Sequence, residues 1–236
     1  MRGAQGWALW GLVCAGVVIG LGCSEELEEV DRRVFESAVS EVQVKVERDE
    51  VHVFGSDQSK GLVLDRWSSP REEFARLEEH QSGDRVEVVA SCASAGGCRA
   101  RYDLSLPEQS RVAVEMEEGH LGLYHLAGEV RARVGRGQVV GKHLSADHIE
   151  LDLGEGTVDV IVANRPSLLV VRLQKGTARL VMPPGRYRCE FDRFDAAIDL
   201  DEFDCHGMMD QGVRLELGPG ARVTFRVNRD YEGPTP

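Results

Sequence analysis

Hydrophobic and polar residues alternate along most of this chain, with the period of two that turns one face of a strand inward. Val42, Val44 and Val46 alternate with Gln43 and Lys45, Glu47-Arg48-Asp49-Glu50 reads as a turn, and Val51 to Phe54 as the return strand. Leu62 to Leu64, Val86 to Val89 and Tyr102 to Leu106 continue the series, the last stopped by Pro107. One stretch departs from it. Ser69-Pro70-Arg71-Glu72 offers an N-cap Ser, a Pro at the first helical position and a Glu three residues after the Ser, and with Phe74 and Leu77 one turn apart it predicts a short helix over 70–81.

From Gly119 the chain repeats. Gly119, Gly137, Gly156 and Gly176 lie 18, 19 and 20 residues apart, each opening a similar line of alternating residues. Self-similarity near this period is the mark of a solenoid, whose rungs bury their apolar side only against neighbours. The expected fold is therefore all-β, a single-stranded β-helix-like β-solenoid with rungs of about 18–20 residues. An antiparallel sandwich, whose strands recur at similar intervals, is the alternative. Leu215 to Leu217 and Val223 to Val227 read as the closing strands. His125 and His143 share one offset, six residues past their glycines, so in stacked rungs they sit one above the other.

The N-terminus carries an address. Met1-Arg2 precedes an uncharged apolar run from Trp7 to Leu21, which is short for a membrane span and suits the core of a signal peptide. The run ends Ile19-Gly20-Leu21-Gly22-Cys23-Ser24, which resembles a bacterial lipobox, although Gly20 stands where that motif usually has Leu. The resemblance implies cleavage after Gly22 and lipidation of Cys23, and Ser24 resembles the pattern of outer-membrane rather than inner-membrane sorting. The expected layout is a signal peptide at 1–22, a charged tether at 23–33, one domain at 34–230 and a tail at 231–236. Within the domain, irregular N-terminal strands occupy 34–110, and repeated rungs with a C-terminal cap occupy 111–230.

Six cysteines fit export. Cys14 leaves with the signal and Cys23 takes the lipid, leaving Cys92, Cys98, Cys189 and Cys205. An even number in an exported chain reads as two disulfides, with three connectivities open. Gly96-Gly97 permits a tight loop that favours Cys92 with Cys98. Cys189 and Cys205 are 16 residues apart, near one rung, which places them within disulfide range. The five-residue spacer between Cys92 and Cys98 is not that of a short zinc knuckle.

Composition adds less. The 236 residues carry 28 Lys+Arg against 40 Asp+Glu, a charge of −12 that becomes −13 without residues 1–22. That balance argues against nucleic acid as a partner. Six acids between Asp192 and Asp204 are tempting as a calcium loop, but they lack the glycine and terminal Glu of an EF-hand and read as the solvated face of a strand. No catalytic residue, cofactor motif or metal site is read from the sequence.

Taken together, the strands from Phe35 to Phe54, Gly83 to Val88, Tyr102 to Pro107 and the rungs from Gly119 resemble the bacterial "putative adhesin" family of unknown function, with repeated β-strands in a β-helix. The resemblance spans about residues 34 to 227 and implies a fold and a surface location, not an activity. The expectation is a lipid-anchored protein of the cell envelope with a non-catalytic adhesin-like or scaffold role. Its partners are then the membrane, through the anchor, and an envelope protein or extracellular polymer. A polysaccharide-active enzyme on the same scaffold is the alternative.

Overall fold

The computed structural model describes residues 28–68, 76–91, 100–193, 195–205, 211–229 and 231. The signal segment, Cys23, Cys92, Cys98 and the residues from 232 to 236 lie outside the described residues. The described chain is all-β, with fifteen strands and no helix.

The centre is a run of long strands laid parallel in register. β2 (Glu41–Ser56), β7 (Arg111–Tyr124), β8 (Val130–Leu144), β9 (His148–Val162) and β10 (Leu168–Met182) follow one another as neighbours. This parallel pairing excludes the antiparallel sandwich for the repeated region. The repeat glycines meet in register, Gly119 to Gly137 to Gly156 to Gly176, with Asp49 opening the row against Gly119. Glu47 to Glu50 is therefore no hairpin turn: β2 runs through it, and both of its halves pair with β7.

At each glycine the inward face changes parity. Buried residues run Val42, Val44, Val46 and then Val51, Val53 in β2, and Val112, Val114, Met116 and then Leu121, Leu123 in β7. Both halves feed one hydrophobic cluster. Its residues form columns through the stack, such as Val44, Val114, Ala132, Leu151, Val171 and Leu215. Burying each Val or Leu of such a column contributes about 1.5–3 kcal/mol. The four glycines have φ between +131° and +148°, and a Cβ on any of them would strike the backbone of the preceding strand. Glycine at this corner is a steric requirement.

The ends are built differently. β5 (Arg85–Ser91) and β6 (Ala100–Pro107) pair parallel with the two halves of β2, on the side away from β7. β3 (Leu62–Ser68) lies antiparallel on β6, and β4 (Arg76–Ser82) antiparallel on β5. At the other end β14 (Gly212–Leu217) and β15 (Arg222–Val227) lie directly against β10. Outside them come β11 (Arg186–Arg193) on β14, β12 (Ala197–Asp199) on β15, and β13 (Asp204–Cys205) on β11. The C-terminal strands are thus inserted inside the stack rather than closing it. Tyr187, Phe203 and Phe225 stack at 4.8 and 4.6 Å near this end. Burial pushes the Tyr187 phenol up to about 12, and its hydroxyl donates to the Pro183 carbonyl at 2.9 Å.

Three sequence expectations need correction. The helix over 70–81 is absent from its described part, because residues 76–82 form β4. Leu77 pairs with Ala90, and Gly83, at φ +64°, reverses the chain between β4 and β5. The backbone groups the helix would have satisfied are satisfied across a hairpin, while residues 69–75 lie outside the described set. The tether at 23–33 is a strand from residue 28: β1 (Glu28–Phe35) pairs antiparallel with β3. Its charges are answered across the pair, Arg32 gripping Asp65 through two bonds of 2.5 and 2.9 Å. The N-terminal strands at 34–110 are less irregular than expected, since β2 pairs parallel with β7 along both of its halves.

Candidate functional site

Outward residues of stacked strands form rows, and two rows alternate in sign at every step. Lys45, Glu115, Arg133, Asp152, Arg172 and Glu216 face one another in order across β2, β7, β8, β9, β10 and β14. Arg48, Glu118, Arg136, Glu155 and Lys175 do the same beside the glycine corner. Contacts along them include Arg172 to Glu216 at 2.9 Å, Lys175 to Glu155 at 2.9 Å and Arg133 to Asp152 at 3.6 Å. Hydrogen bonds from Arg172 to Glu150 and from Lys175 to Glu155 hold both carboxyls below the usual range. Each exposed pair is worth little. Their order still favours this register, because like charges placed opposite each other are destabilising. The acid excess is not an acidic face.

Past the corner, on β6, β2 and β7, the pattern changes from ions to rings. Glu50 lies in register with His120, and His52 with Gly122 and Asp103. His52 Nδ1 is 3.2 Å from Asp103 Oδ1, and its Nε2 is 3.0 Å from Glu50 Oε1. His120 Nδ1 is 3.2 Å from Gln138 Oε1 on β8. The two imidazoles meet edge to face at 5.7 Å. Phe54 and Tyr124 stack at 4.9 Å beside them, each also edge-on to His52. Gly122 makes this possible, since a Cβ there would come within 2.6 Å of the Tyr124 ring and 2.8 Å of the His52 ring.

Asp103 orients the group. Burial works to raise its carboxyl, but hydrogen bonds from His52 and Arg101 outweigh that and hold it down at about 2. Arg101 grips it with three contacts of 2.6 to 3.1 Å and lies over the Trp67 ring at 5.5 Å. His52 and Asp103 side chains are 13% and 14% exposed while Glu50 is 39% exposed. The cluster is half-sunk, with one side reachable. Glu50, His52 and His120 each offer a ligand atom within 4.8 Å of the others, the one such group among the described residues.

The residues singled out from sequence fall elsewhere. Cys189 and Cys205 form a disulfide with Cα atoms 5.5 Å apart, joining β11 to β13. His125 and His143 do stack, their rings parallel at 4.9 Å, both exposed and both in the left-handed region. Acids of the 192–204 stretch are answered by arginines: Asp201 by Arg226 at 3.6 Å, Glu202 by Arg229 at 3.1 Å and Asp204 by Arg186 at 3.5 Å. Glu50, His52, Asp103 and His120 were missed. Taking Asp49 as one more corner, level with Gly119, would have set Glu50 beside His120.

Neither a family model nor a curated protein matches the chain. Among solved structures the fold is similar to that of a "putative cell adhesion protein" from Clostridium sporogenes, at 11% identity and a TM-score of 0.53, covering 86% of this chain and all of that one. A "putative adhesin" from Bacteroides fragilis matches at 8% identity and a TM-score of 0.41, over 86% of this chain and 98% of that one. At such identities the likeness is one of fold.

Proposed function

We propose that this chain is a non-catalytic binding protein of the bacterial cell envelope. It is exported by residues 1–22 and anchored by lipid on Cys23, in the outer membrane rather than the inner. In this reading the strands form a β-solenoid of rungs of about 18–20 residues, a stiff arm that presents its outward face to an envelope protein or extracellular polymer. The parallel register of the glycine row and the parity change at each corner support the solenoid.

The observation that carries the binding role is the ring patch of Phe54, Tyr124 and His52, which lies past the corner beside the rows of paired ions. Rigid aromatic side chains give contact area at low entropic cost, which suits recognition. The rival reading, a polysaccharide-active enzyme, needs a carboxyl raised enough to donate a proton. Each described carboxyl with a displaced pKa, namely Asp84, Glu87, Asp103, Glu150 and Glu155, is displaced downward, which favours binding over hydrolysis.

The test compares wild type with Phe54→Ala/Tyr124→Ala on envelope fractions and isolated extracellular polymer. Retention by wild type and at least tenfold weaker retention by the double variant is expected. Equal retention removes the patch from the role. For the anchor, Cys23→Ser is expected to release the protein from membranes. Retention of that variant without an acyl label refutes the lipoprotein reading.

A further inference from the structure

We infer that Glu50, His52 and His120 form a binding site for a divalent transition-metal ion of the zinc class. The three lie at equivalent places in adjacent rungs: Glu50 and His120 one residue past the corner, and His52 two residues further on. Two imidazoles and one carboxylate are the ligand set of many open zinc sites, which leave a fourth position for water or another ligand. Such a set suits Zn²⁺, Cu²⁺ or Ni²⁺ and not the oxygen-seeking Ca²⁺ or Mg²⁺.

The orientation of the rings carries the argument beyond proximity. Metal-bound histidines typically give their other ring nitrogen to a carboxylate or carbonyl, which fixes the tautomer. Both rings here have that arrangement. Asp103 takes Nδ1 of His52 and Gln138 takes Nδ1 of His120, each at 3.2 Å. The Nε2 atoms are left as lone-pair donors, and that of His52 already faces Glu50 Oε1 at 3.0 Å. Tetrahedral bonds of about 2.0–2.1 Å hold ligand atoms about 3.3 Å apart. Each of the three residues already brings one ligand atom within 4.8 Å of the others, and side-chain rotations would close the set to that spacing. The sheet backbone stays where it is.

His52 lies between two carboxylates, Glu50 and Asp103, and one ion on the Glu50 side would answer that carboxylate and both rings. Gly122 keeps the ring space open, and Arg101 is paired with Asp103.

The experiment is titration of the purified, metal-stripped chain with ZnCl₂, and separately with CoCl₂, read by calorimetry and by the visible bands of bound Co²⁺. One ion per chain with nitrogen-and-oxygen tetrahedral cobalt bands is expected. His52→Ala and His120→Ala should each weaken zinc at least 100-fold, and Asp103→Asn 10- to 100-fold. His120 is half-buried and faces outward, so its variant is expected to keep the fold, which circular dichroism checks. His125→Ala/His143→Ala should leave binding unchanged. No binding by wild type overturns the site, as does affinity that survives His52→Ala and His120→Ala or falls with the His125/His143 variant. With no partner present, this result stands or falls apart from the role of Phe54 and Tyr124.

Discussion

Replacing Gly137 by Ala separates the corner's steric demand from ordinary glycine effects. At φ +142° the new residue enters a region that L side chains avoid, costing about 1–3 kcal/mol. Its Cβ would also strike the carbonyl oxygen of Gly119 and lie 2.9 Å from its carbonyl carbon, backbone atoms of the preceding strand. Relief requires the rungs to part locally, and losing two ladder hydrogen bonds adds about 1–3 kcal/mol. The sum, about 2–6 kcal/mol, is a large share of the 5–15 kcal/mol typical of a domain. Gly83→Ala is the control. That glycine also has positive φ, +64°, but nothing lies within 4 Å of its Cβ position, so about 1–2 kcal/mol is expected. Urea unfolding followed by far-ultraviolet circular dichroism measures both. Gly137→Ala should fall short of Gly83→Ala by about 2–3 kcal/mol, and a fall in m would show that part of the stack opens first. If the two variants agree within about 0.5 kcal/mol, the close approach of rungs does not hold the corner.

Three other outcomes are expected. Cys205→Ser opens the loop between Cys189 and Cys205, 16 residues apart, and should cost about 3 kcal/mol, matched by reduction of the wild type and read by urea unfolding. Asp103 has a folded pKa of about 2, below its ordinary 3.8. Its contribution of about 2 kcal/mol is therefore present above the unfolded value and lost as pH falls through the folded one. Acid titration of stability in a chelator should show that loss between about pH 4 and 2 in wild type and not in Asp103→Asn. Asp152→Arg puts a cation between Arg133 and Arg172, and should destabilise by about 1 kcal/mol at low salt, with less effect at 1 M salt.

Much of the centre was legible because its signals are local and repeated. The spacing of Gly119, Gly137, Gly156 and Gly176 matches the register of the parallel strands, and alternation marked the strands themselves. The pairing of Cys189 with Cys205 and the stack of His125 on His143 followed from the same arithmetic. What failed depended on distant partners. Ser69-Pro70 looks like a helix start in isolation, but the pairing of Leu77 with Ala90 gives residues 76–82 a strand partner that local pattern does not reveal. Asp49 hid the first corner because it is not glycine: it opens the row, and its carboxylate accepts from the Ala100 amide at 2.8 Å. With that corner hidden, residues 50 and 120 had no reason to be placed side by side.

The two ends of the stack share a device that period alone does not reveal. At one end the chain lays down β2, adds β5 and β6 outside it, and then returns to the inner side with β7. At the other it places β11 and β12 two positions out and fills the gap afterwards with β14 and β15. In both cases the strand last added to the gap, or first laid down, is paired on two sides. Loss of β15 from the C-terminal side must then break two ladders, to β10 and to β12, which a simple linear stack would not require. The outer edges are closed by other means. β1 and β4 cover β3 and β5 antiparallel, bringing Arg32, Arg33, Glu78 and Glu79 to that edge, and β13 is held to β11 by the disulfide. Charged, short or stapled edges discourage a second copy from adding its own strand. The repeats can therefore supply a continuous core without turning the protein into the seed of a fibre.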